Sequence, residues 1–317
     1  MITVLTGGTG GAKFVDGLRQ IVPPEELTVI VNTGDDHDWW GLYVSPDIDS
    51  IMYALSDLLS PERGWGVRGD TFHCLQQMKE LGEETWFSVG DRDLATHLLR
   101  SKLLAQGRTL SEATRTISER LGVKQRVLPM SDQRVETRVG TPIGELSFEE
   151  YFVKRWYQDP VESVRFAGLS ESEPAPEVVE AIASATAILI APSNPVTSIG
   201  PILAVPGIRE ALAKTNAPVI AVSPIIGTAA VSGPAANLMR AQGVEVSIAG
   251  VANAYQDFLD ILVAHESDAE FAKSVRVGNV EIHCADILMR TTHDRKRVAS
   301  TALSLARPEI IQEQAAG

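Results

Sequence analysis

Short runs of consecutive apolar residues alternate along this chain with stretches whose apolar positions recur every three to four residues. A continuous apolar run is typical of a strand buried on both faces of a parallel sheet, and the longer period indicates an amphipathic helix. The runs are 2–5, Leu27–Val31, Ala187–Ile190, 218–222, 260–263 and 282–284. This pattern predicts an α/β fold, Rossmann-like and doubly wound, with a mostly parallel sheet.

Between these repeats, the segment 124–176 has a different pattern. Apolar and polar residues alternate in 126–128, 135–139 and 145–148 around a glycine- and proline-containing turn, which favours a hairpin. The segment 151–176 is charged and shows no regular pattern of apolar residues. We therefore expect a single domain over 1–317 with an inserted hairpin or lid at 124–176.

Composition narrows the class of protein. The 317 residues are 44% hydrophobic and 22% charged, enough for a sizeable core, and the formal net charge is -13. An acidic chain lacks the excess of lysine and arginine that neutralises nucleic acid phosphates, so no nucleic acid partner is expected. Cys74 and Cys284 lack a CxxC spacing and are predicted to be free thiols. No leader pattern and no bilayer-length apolar run is present, so we expect a cytoplasmic protein without a membrane partner.

The first strand leads into a glycine-rich turn before a helical pattern. Glycines let backbone amides approach an anion closely, and a helix start adds unpaired N–H groups and a favourable dipole. The residues of this predicted phosphate cradle are Gly7, Gly8, Thr9, Gly10, Gly11 and Lys13. The spacing departs from both the dinucleotide fingerprint and the P-loop, so it indicates a phosphate without saying which ligand carries it. A purely structural turn is the alternative.

The loop after the second strand, 32–40, contains acidic residues, a histidine and two adjacent tryptophans. In an open parallel sheet, ligands bind beyond the carboxyl ends of the strands, where this loop is predicted to lie. Trp39 and Trp40 are predicted either to stack on a planar ligand or to fill the core.

Two aspartates, Asp47 and Asp49, come at or just before the next helical pattern. Either one can cap the helix. Two carboxylates spaced two apart in an extended approach to the helix would point the same way, which suits Mg²⁺ and its oxygen ligands. We therefore consider both as metal ligands and as catalytic residues.

Two further loops offer polar groups before helices. Asp91 is a predicted helix cap, and Arg92 beside it could bind a carboxylate or phosphate in a fork geometry, although a surface ion pair is the simpler interpretation. Ser193 and Asn194 follow a buried strand in a proline-rich loop and are predicted to form a second anion or ribose cradle.

Taken together and in this order, six segments resemble the 2-phospho-L-lactate transferase family of coenzyme F420 biosynthesis. They are TGGTGGAK (6–13), SPDID (45–49), GDRDLATH (90–97), LPMSD (128–132), APSNPVTSIGP (191–201) and SPIIG (223–227). The resemblance runs from residue 1 to about 260. It implies an Mg²⁺-dependent reaction in which a lactyl- or enolpyruvyl-diphosphoguanosine donates its acyl-bearing phosphoryl group to the ribityl hydroxyl of the deazaflavin Fo, releasing GMP. It also suggests a homodimer.

Within that reaction, Asp47 and Asp49 would hold Mg²⁺ or orient the ribityl hydroxyl, with Asp49 the better proton acceptor. The glycine turn, Ser193 and Asn194 would hold the guanosine donor, with Lys13 as a countercharge. Asp91 and Arg92 would complete the acceptor or metal shell. Trp39, Trp40 or Trp65 would stack on the deazaflavin.

Two other functions fit parts of the sequence. A nicotinamide-dependent oxidoreductase would explain the glycine turn, but the second strand ends in Asn32 where such enzymes place an acidic ribose-binding residue. A non-catalytic regulator that binds nucleotide sugars, resembling the YvcK-like proteins, would share the glycine-rich opening without needing the paired aspartates. The sequence does not distinguish lactate, enolpyruvate or glycerate-derived groups on the donor.

Overall fold

The computed structural model describes residues 1–306 of the chain. Its strands are β1 (Ile2–Thr6), β2 (Leu27–Val31), β3 (His37–Trp39), β4 (Leu42–Val44), β5 (Arg126–Pro129), β6 (Glu136–Thr141), β7 (Gly144–Ser147), β8 (Ser163–Ala167), β9 (Ala187–Ile190), β10 (Val219–Val222), β11 (Ile225–Ile226), β12 (Ala229–Ala230), β13 (Ile261–His265) and β14 (Glu281–Ala285). Its helices are α1 (Gly8–Leu18), α2 (Pro46–Leu55), α3 (His73–Glu80), α4 (Asp91–Ala105), α5 (Leu110–Arg120), α6 (Val178–Ala183), α7 (Gly200–Ala204), α8 (Ile208–Lys214), α9 (Ala235–Ala241), α10 (Ile248–Tyr255), α11 (Ala269–Ala272) and α12 (Thr292–Ala306).

Seven of these strands form one parallel sheet in the order β14-β13-β10-β9-β1-β2-β5. The chain runs from β1 outward to β2 and β5, then returns on the other side of β1 as β9. In register, Ile2 of β1 lies between Leu27 of β2 and Ala187 of β9. The strand order therefore reverses between β1 and β9, which is where open α/β sheets bind ligands. The predicted doubly wound Rossmann-like fold is confirmed.

Each face of the sheet is covered by its own apolar core. Leu5 and Ile30 belong to the core on one face, while their chain neighbours Val4 and Val29 belong to the core on the other. This alternation explains why the strands are apolar at every position, since both faces are buried. Within residues 1–306, no helix is both long and apolar enough to cross a bilayer.

The hairpin predicted between 124 and 176 is present as β6 and β7, with Val139 opposite Leu146. Two details differ from the expectation. The strand predicted at 126–128 is β5, which pairs in parallel with β2 and forms an edge of the central sheet, so assigning it to the insertion was wrong. The irregular text after the hairpin contains β8, which pairs with β6 and makes a three-stranded sheet. The inserted part therefore begins after β5.

Candidate functional site

The predicted glycine cradle is the first turn of α1, and it begins the helix earlier than the sequence pattern indicated. Gly8 has a φ of 68°, a left-handed conformation that favours glycine. A Cβ on Gly10 would lie 2.6 Å from the carbonyl oxygen of Pro192, and one on Gly11 would collide with the hydroxyl of Thr6. These glycines therefore allow the start of α1 to pack against β1 and the loop after β9.

That loop meets the glycine turn directly. The Ser193 hydroxyl donates a hydrogen bond of 2.7 Å to the Gly7 carbonyl and accepts one of 3.4 Å from the Gly7 amide. The side-chain oxygen of Asn194 accepts from the Val196 amide at 2.9 Å and so shapes its own loop. The two predicted cradles are thus brought together at the point where the strand order reverses.

The other members of the glycine segment lie at the edge of this contact. Thr9 is exposed, while Lys13 is about half buried on the following turn of α1. Burial and, secondarily, the positive charge of Arg295 lower the pKa of Lys13. The ammonium group of Lys13 is therefore influenced by α12 as well as by any ligand at the glycine turn.

Asp47 connects the glycine turn to the loop after β2. Its Oδ1 accepts a hydrogen bond of 2.6 Å from the Gly8 amide, and its Oδ2 accepts one of 2.9 Å from the side-chain amide of Asn32. The same amide group donates to Asp35 Oδ2 at 3.1 Å and to the Thr197 carbonyl at 3.2 Å. Asn32, fully buried, therefore joins the loops after β2 and β9 to the start of α2.

Four buried carboxyl groups, which we call the carboxylate cluster, gather around this junction: Asp35, Asp36, Asp47 and Glu149. Burial raises the pKa of Asp47 to about 6, against the opposing hydrogen bonds from Asn32 and Gly8. Burial followed by the charges of its acidic neighbours raises the pKa of Glu149 to about 8, and burial raises that of Asp36 to about 8. The pKa of Asp35 is raised well above its usual range by burial and by the other three cluster members.

The cluster is rich in oxygen atoms. The Arg100 guanidinium lowers the pKa of Asp36, but it does not outweigh the effect of burial. Asp35 Oδ1 is buried, no donor within residues 1–306 meets it with hydrogen-bond geometry, and the nearby Thr137 hydroxyl offsets only a small part of the rise in the Asp35 pKa. Mutual repulsion among buried carboxylates is relieved by a bound cation, and hard divalent cations take such oxygen ligands. Mg²⁺ therefore fits the chemistry of these residues.

Asp49 faces away from this cluster. Both of its oxygens bind the guanidinium of Arg100, one of them at 3.0 Å, and Oδ2 lies 3.4 Å from His97 Nδ1. The expectation that Asp47 and Asp49 point the same way was wrong, because both lie in the first turn of α2 and residues two apart on a helix are about 200° apart. The ion pair with Arg100 leaves Asp49 a poor ligand for a cation.

A second group of potential ligands surrounds the same ion pair. Asp49, Asp93 and His97 offer three ligand atoms within 4.8 Å of one another. Arg100 is already bound to Asp49, and the hydroxyl of Tyr53 donates to Asp93 at 2.7 Å. A guanidinium inside the group disfavours a second cation, so we interpret this cluster as an internal ion-pair network.

Asp91 and Arg92 lie at the start of α4 but do not join the carboxylate cluster. The Asp91 carboxylate caps α3, accepting from the amides of His73 at 3.1 Å and Cys74 at 2.9 Å. Arg92 is exposed, and its guanidinium donates to the Arg68 carbonyl at 3.0 Å. Among residues 1–306, neither side chain makes a hydrogen bond or ion pair with a cluster member.

The tryptophans differ in burial, and Trp39 takes the core-filling role of the two that the sequence left open. Trp39 is buried, with ring centroids 4.7 Å from Trp86 and 6.0 Å from Phe87, and so fills a small aromatic core under the β3–β4 hairpin. Trp40 packs on its edge and is partly exposed. Trp65 belongs to a different loop, beside Arg63.

Some members of the site were not singled out from the sequence. Asp35 and Asp36 lie in the loop 32–40, which follows the second strand. The rule that ligands bind beyond the carboxyl ends of parallel strands therefore applies to both residues. Glu149 comes from the insertion and Arg100 from the middle of α4. Neither carries a local sequence signal, since only tertiary packing brings each to the sheet edge.

Comparisons with known proteins cover nearly the whole chain. The family model described as 2-phospho-L-lactate transferase CofD matches residues 2–304. A 2-phospho-L-lactate transferase of Methanosarcina mazei is 46% identical over 298 residues, covering 93% of this chain and 97% of the relative. A phosphoenolpyruvate transferase of Streptomyces coelicolor is 43% identical over 311 residues, covering 96% of this chain and 98% of the relative. A crystal structure of a UPF0052 family protein from Bacillus halodurans aligns with a TM-score of 0.64 at 20% identity, covering 95% and 98%, and supports the fold alone.

The matched range contains the glycine turn, all four members of the carboxylate cluster and the loop after β9. Identity above 40% over nearly the full length of both relatives is far more than a shared fold requires. The six segments that carried the resemblance therefore identified the family correctly. The chain belongs to the 2-phospho-L-lactate transferase CofD family of coenzyme F420 biosynthesis, and it is a transferase.

Proposed function

We propose that this transferase moves a phospholactyl, phosphoenolpyruvyl or related group from a guanosine diphosphate donor to the ribityl hydroxyl of Fo, with Mg²⁺, and releases GMP. The names of the two transferase relatives support the first two groups as alternatives. The observation that carries the proposal is the 2.6 Å hydrogen bond between Asp47 and the Gly8 amide. It joins an acidic cluster to a helix start, a pairing that suits a cation together with a diphosphate.

In this proposal the donor lies over the place where the strand order reverses. The first-turn amides of α1 and its positive dipole end attract the diphosphate. Ser193 and Asn194 border the same crevice and would contact the ribose or phosphate groups. Their loop is fixed against Gly7 by two hydrogen bonds, so its position beside the glycine turn is set before any ligand binds.

Asp35 and Asp47, with Glu149 beside them, are the residues that would hold Mg²⁺. The buried Asp35 oxygen without a donor and the raised pKa values of the cluster support this assignment over the pair Asp47 and Asp49. When bound, Mg²⁺ would neutralise phosphate oxygens of the donor, as divalent ions do in phosphoryl transfer.

The transfer forms a bond between the ribityl oxygen and the acyl-bearing phosphorus and breaks the bond from that phosphorus to the bridging oxygen, which leaves with GMP. The hydroxyl proton passes to a carboxylate of the cluster. Such reactions depend on positioning and charge neutralisation more than on a strong base. The exposed part of Trp40 is the surface we propose for the deazaflavin ring.

The test is Fo-dependent GMP release with purified protein, Mg²⁺ and each candidate guanosine diphosphate donor. We expect release with one donor, and a loss of about a hundredfold or more in Asp47→Asn, the range found for groups that stabilise developing charge. Asp38→Asn, an exposed aspartate of the same loop, is the matched control and should retain full activity.

Absence of GMP release from every donor, in a protein that still binds a guanosine nucleotide, would contradict the proposed reaction and favour the nucleotide-binding regulator.

The cytoplasmic location and the homodimer stay predictions. Size-exclusion chromatography with light scattering measures the oligomeric state.

A further inference from the structure

Arg100 is unusual in its environment. Its side chain, on α4, is fully buried. No other lysine or arginine within residues 1–306 is buried. Burial would lower the pKa of this group, but Asp49 outweighs it and keeps the guanidinium charged. A buried charge requires close partners with good geometry, and the two-pronged contact with Asp49 provides them.

The ion pair is one of two anchors for the start of α2. Ser45, which precedes the helix, donates its hydroxyl to Asp36 Oδ1 at 2.6 Å. Asp49, four residues later, binds Arg100. Asp47 lies between these anchors and reaches the other way, toward Gly8 and Asn32. The first turn of α2 is therefore fixed on both sides of the residue that contacts the proposed site.

Arg100 is itself held by neighbours on α4. His97 Nδ1 lies 3.4 Å from its Nη1, and His97 Nε2 lies 3.5 Å from Asp93. Tyr53, from the last turn of α2, donates its hydroxyl to Asp93 at 2.7 Å and accepts a hydrogen bond from the Thr96 hydroxyl at 2.8 Å. Helix α2 is thus tied to α4 at both of its ends, and Arg100 forms the tie nearest the site.

We propose that Arg100 is a positioning residue of the transfer reaction: through Asp49 it fixes the first turn of α2 and so holds the Asp47 carboxylate against the Gly8 amide. This inference rests on the proposed function, because it assigns Asp47 a place in the reaction. It gives Asp49 the role of a link between Arg100 and the site, in place of a metal ligand.

The experiment compares Arg100→Lys with Arg108→Lys, since Arg108 is an exposed arginine just beyond α4 that pairs with Glu112 on the surface. Lysine keeps the charge but loses the two-pronged contact. We expect kcat per folded molecule to fall about tenfold or more in Arg100→Lys, the effect typical of residues that hold a binding group in place without contacting the ligand. KM for the donor should change much less. Arg108→Lys should match the native protein.

A second readout does not depend on turnover. Hydrogen exchange of the Gly8 amide reports whether its hydrogen bond to Asp47 is kept, and we expect faster exchange in Arg100→Lys than in the native protein. Because a lysine at this buried position also costs folding free energy, a second variant, Asp49→Leu combined with Arg100→Met, removes both charges and leaves an apolar pair. Such replacements of buried ion pairs are usually tolerated, and we expect this folded variant to repeat the loss of kcat and the faster exchange.

The outcomes separate cleanly. If folded Arg100→Lys and the double variant keep native kcat and native Gly8 exchange, the ion pair only stabilises the fold and the inference is wrong. If the native protein releases no GMP, the proposed function fails, while Gly8 exchange still decides whether Arg100 positions Asp47.

Discussion

Asp47 is the residue where the two chemical requirements of the site meet. One of its oxygens binds the first amide of α1, and the other shares the Asn32 side chain with Asp35. Deleting its charge should therefore affect cation binding and the shape of the glycine turn together. Through Asn32, Asp47 is also linked to the Thr197 carbonyl in the loop after β9.

This position gives a test of cation binding that needs no substrate. A ligand that binds only the folded state stabilises it, by about 2.7 kcal/mol at a hundred times its dissociation constant. We expect Mg²⁺ to raise the melting temperature of the native protein by several degrees and that of Asp47→Asn much less. Differential scanning calorimetry with K⁺ at equal ionic strength is the control. An equal rise in both proteins would mean that Mg²⁺ binds elsewhere.

At this scale the sequence predicted Asp47, Gly7 and Ser193 because each lies at a strand end or helix start. It could not predict the partner of Asp49. Arg100 lies 51 positions away in the middle of a helix, and an arginine in a helix is ordinarily solvent-exposed. The choice between metal ligand and ion-pair partner therefore depended on tertiary packing.

The position of helix α1 depends on glycines in its first turn, because a Cβ there would collide with neighbouring atoms. Its first turn approaches both the Thr6 hydroxyl and the loop after β9, leaving no room for a Cβ at Gly11. The lack of a Cβ at Gly11 therefore allows this helix start to pack tightly against the sheet.

Gly11→Ala should therefore push α1 away from β1. Overpacking of this kind costs about 1–3 kcal/mol, and the displaced helix start should also raise KM for the guanosine donor. Urea unfolding and donor titration measure the two effects. Gln77→Ala, at an exposed position of α3, is the control and should be near native in both. A Gly11→Ala protein with native stability would contradict the packing described for this turn.

Strands that are buried on both faces were predicted correctly from the sequence. The prediction failed for β5, whose place in the fold depends on which strand it pairs with. The apolar runs of β1, β2, β9 and β10 correctly predicted central strands. For β5, an alternating pattern was assigned to the hairpin, although the strand completes the edge of the main sheet. Its partner β2 lies about a hundred residues earlier, so local alternation carried no information about the pairing.

Across the whole molecule, the carboxylate cluster makes stability depend on pH in an unusual direction. Asp36 and Glu149 have pKa values of about 8 when folded, raised by burial, whereas unfolded carboxyl groups lose their protons near pH 4. Between these values the folded chain binds more protons than the unfolded chain. The free energy of unfolding should therefore fall as pH rises from about 5 to about 8, by up to about 1.4 kcal/mol per pH unit for each group.

Urea unfolding at pH 5.5 to 8.5 without divalent cations measures this slope. Glu149→Gln removes one of the two groups, so we expect a shallower slope and a more stable protein at pH 8.5. The exposed Glu162→Gln serves as the control and should follow the native curve. A native stability that increases over this range would show that the cluster is not held protonated.

The position of β1 in the sheet also has a consequence for synthesis. Among the described strands of the central sheet β1 is made first, whereas its partner β9 is made much later, since Ser193 follows Gly7 by 186 positions. Until then one edge of the central strand has exposed amide and carbonyl groups, which are prone to pair with other chains. The nascent chain therefore carries β1 with one edge unpaired until β9 is made, and chaperone capture during that interval would protect it from aggregation.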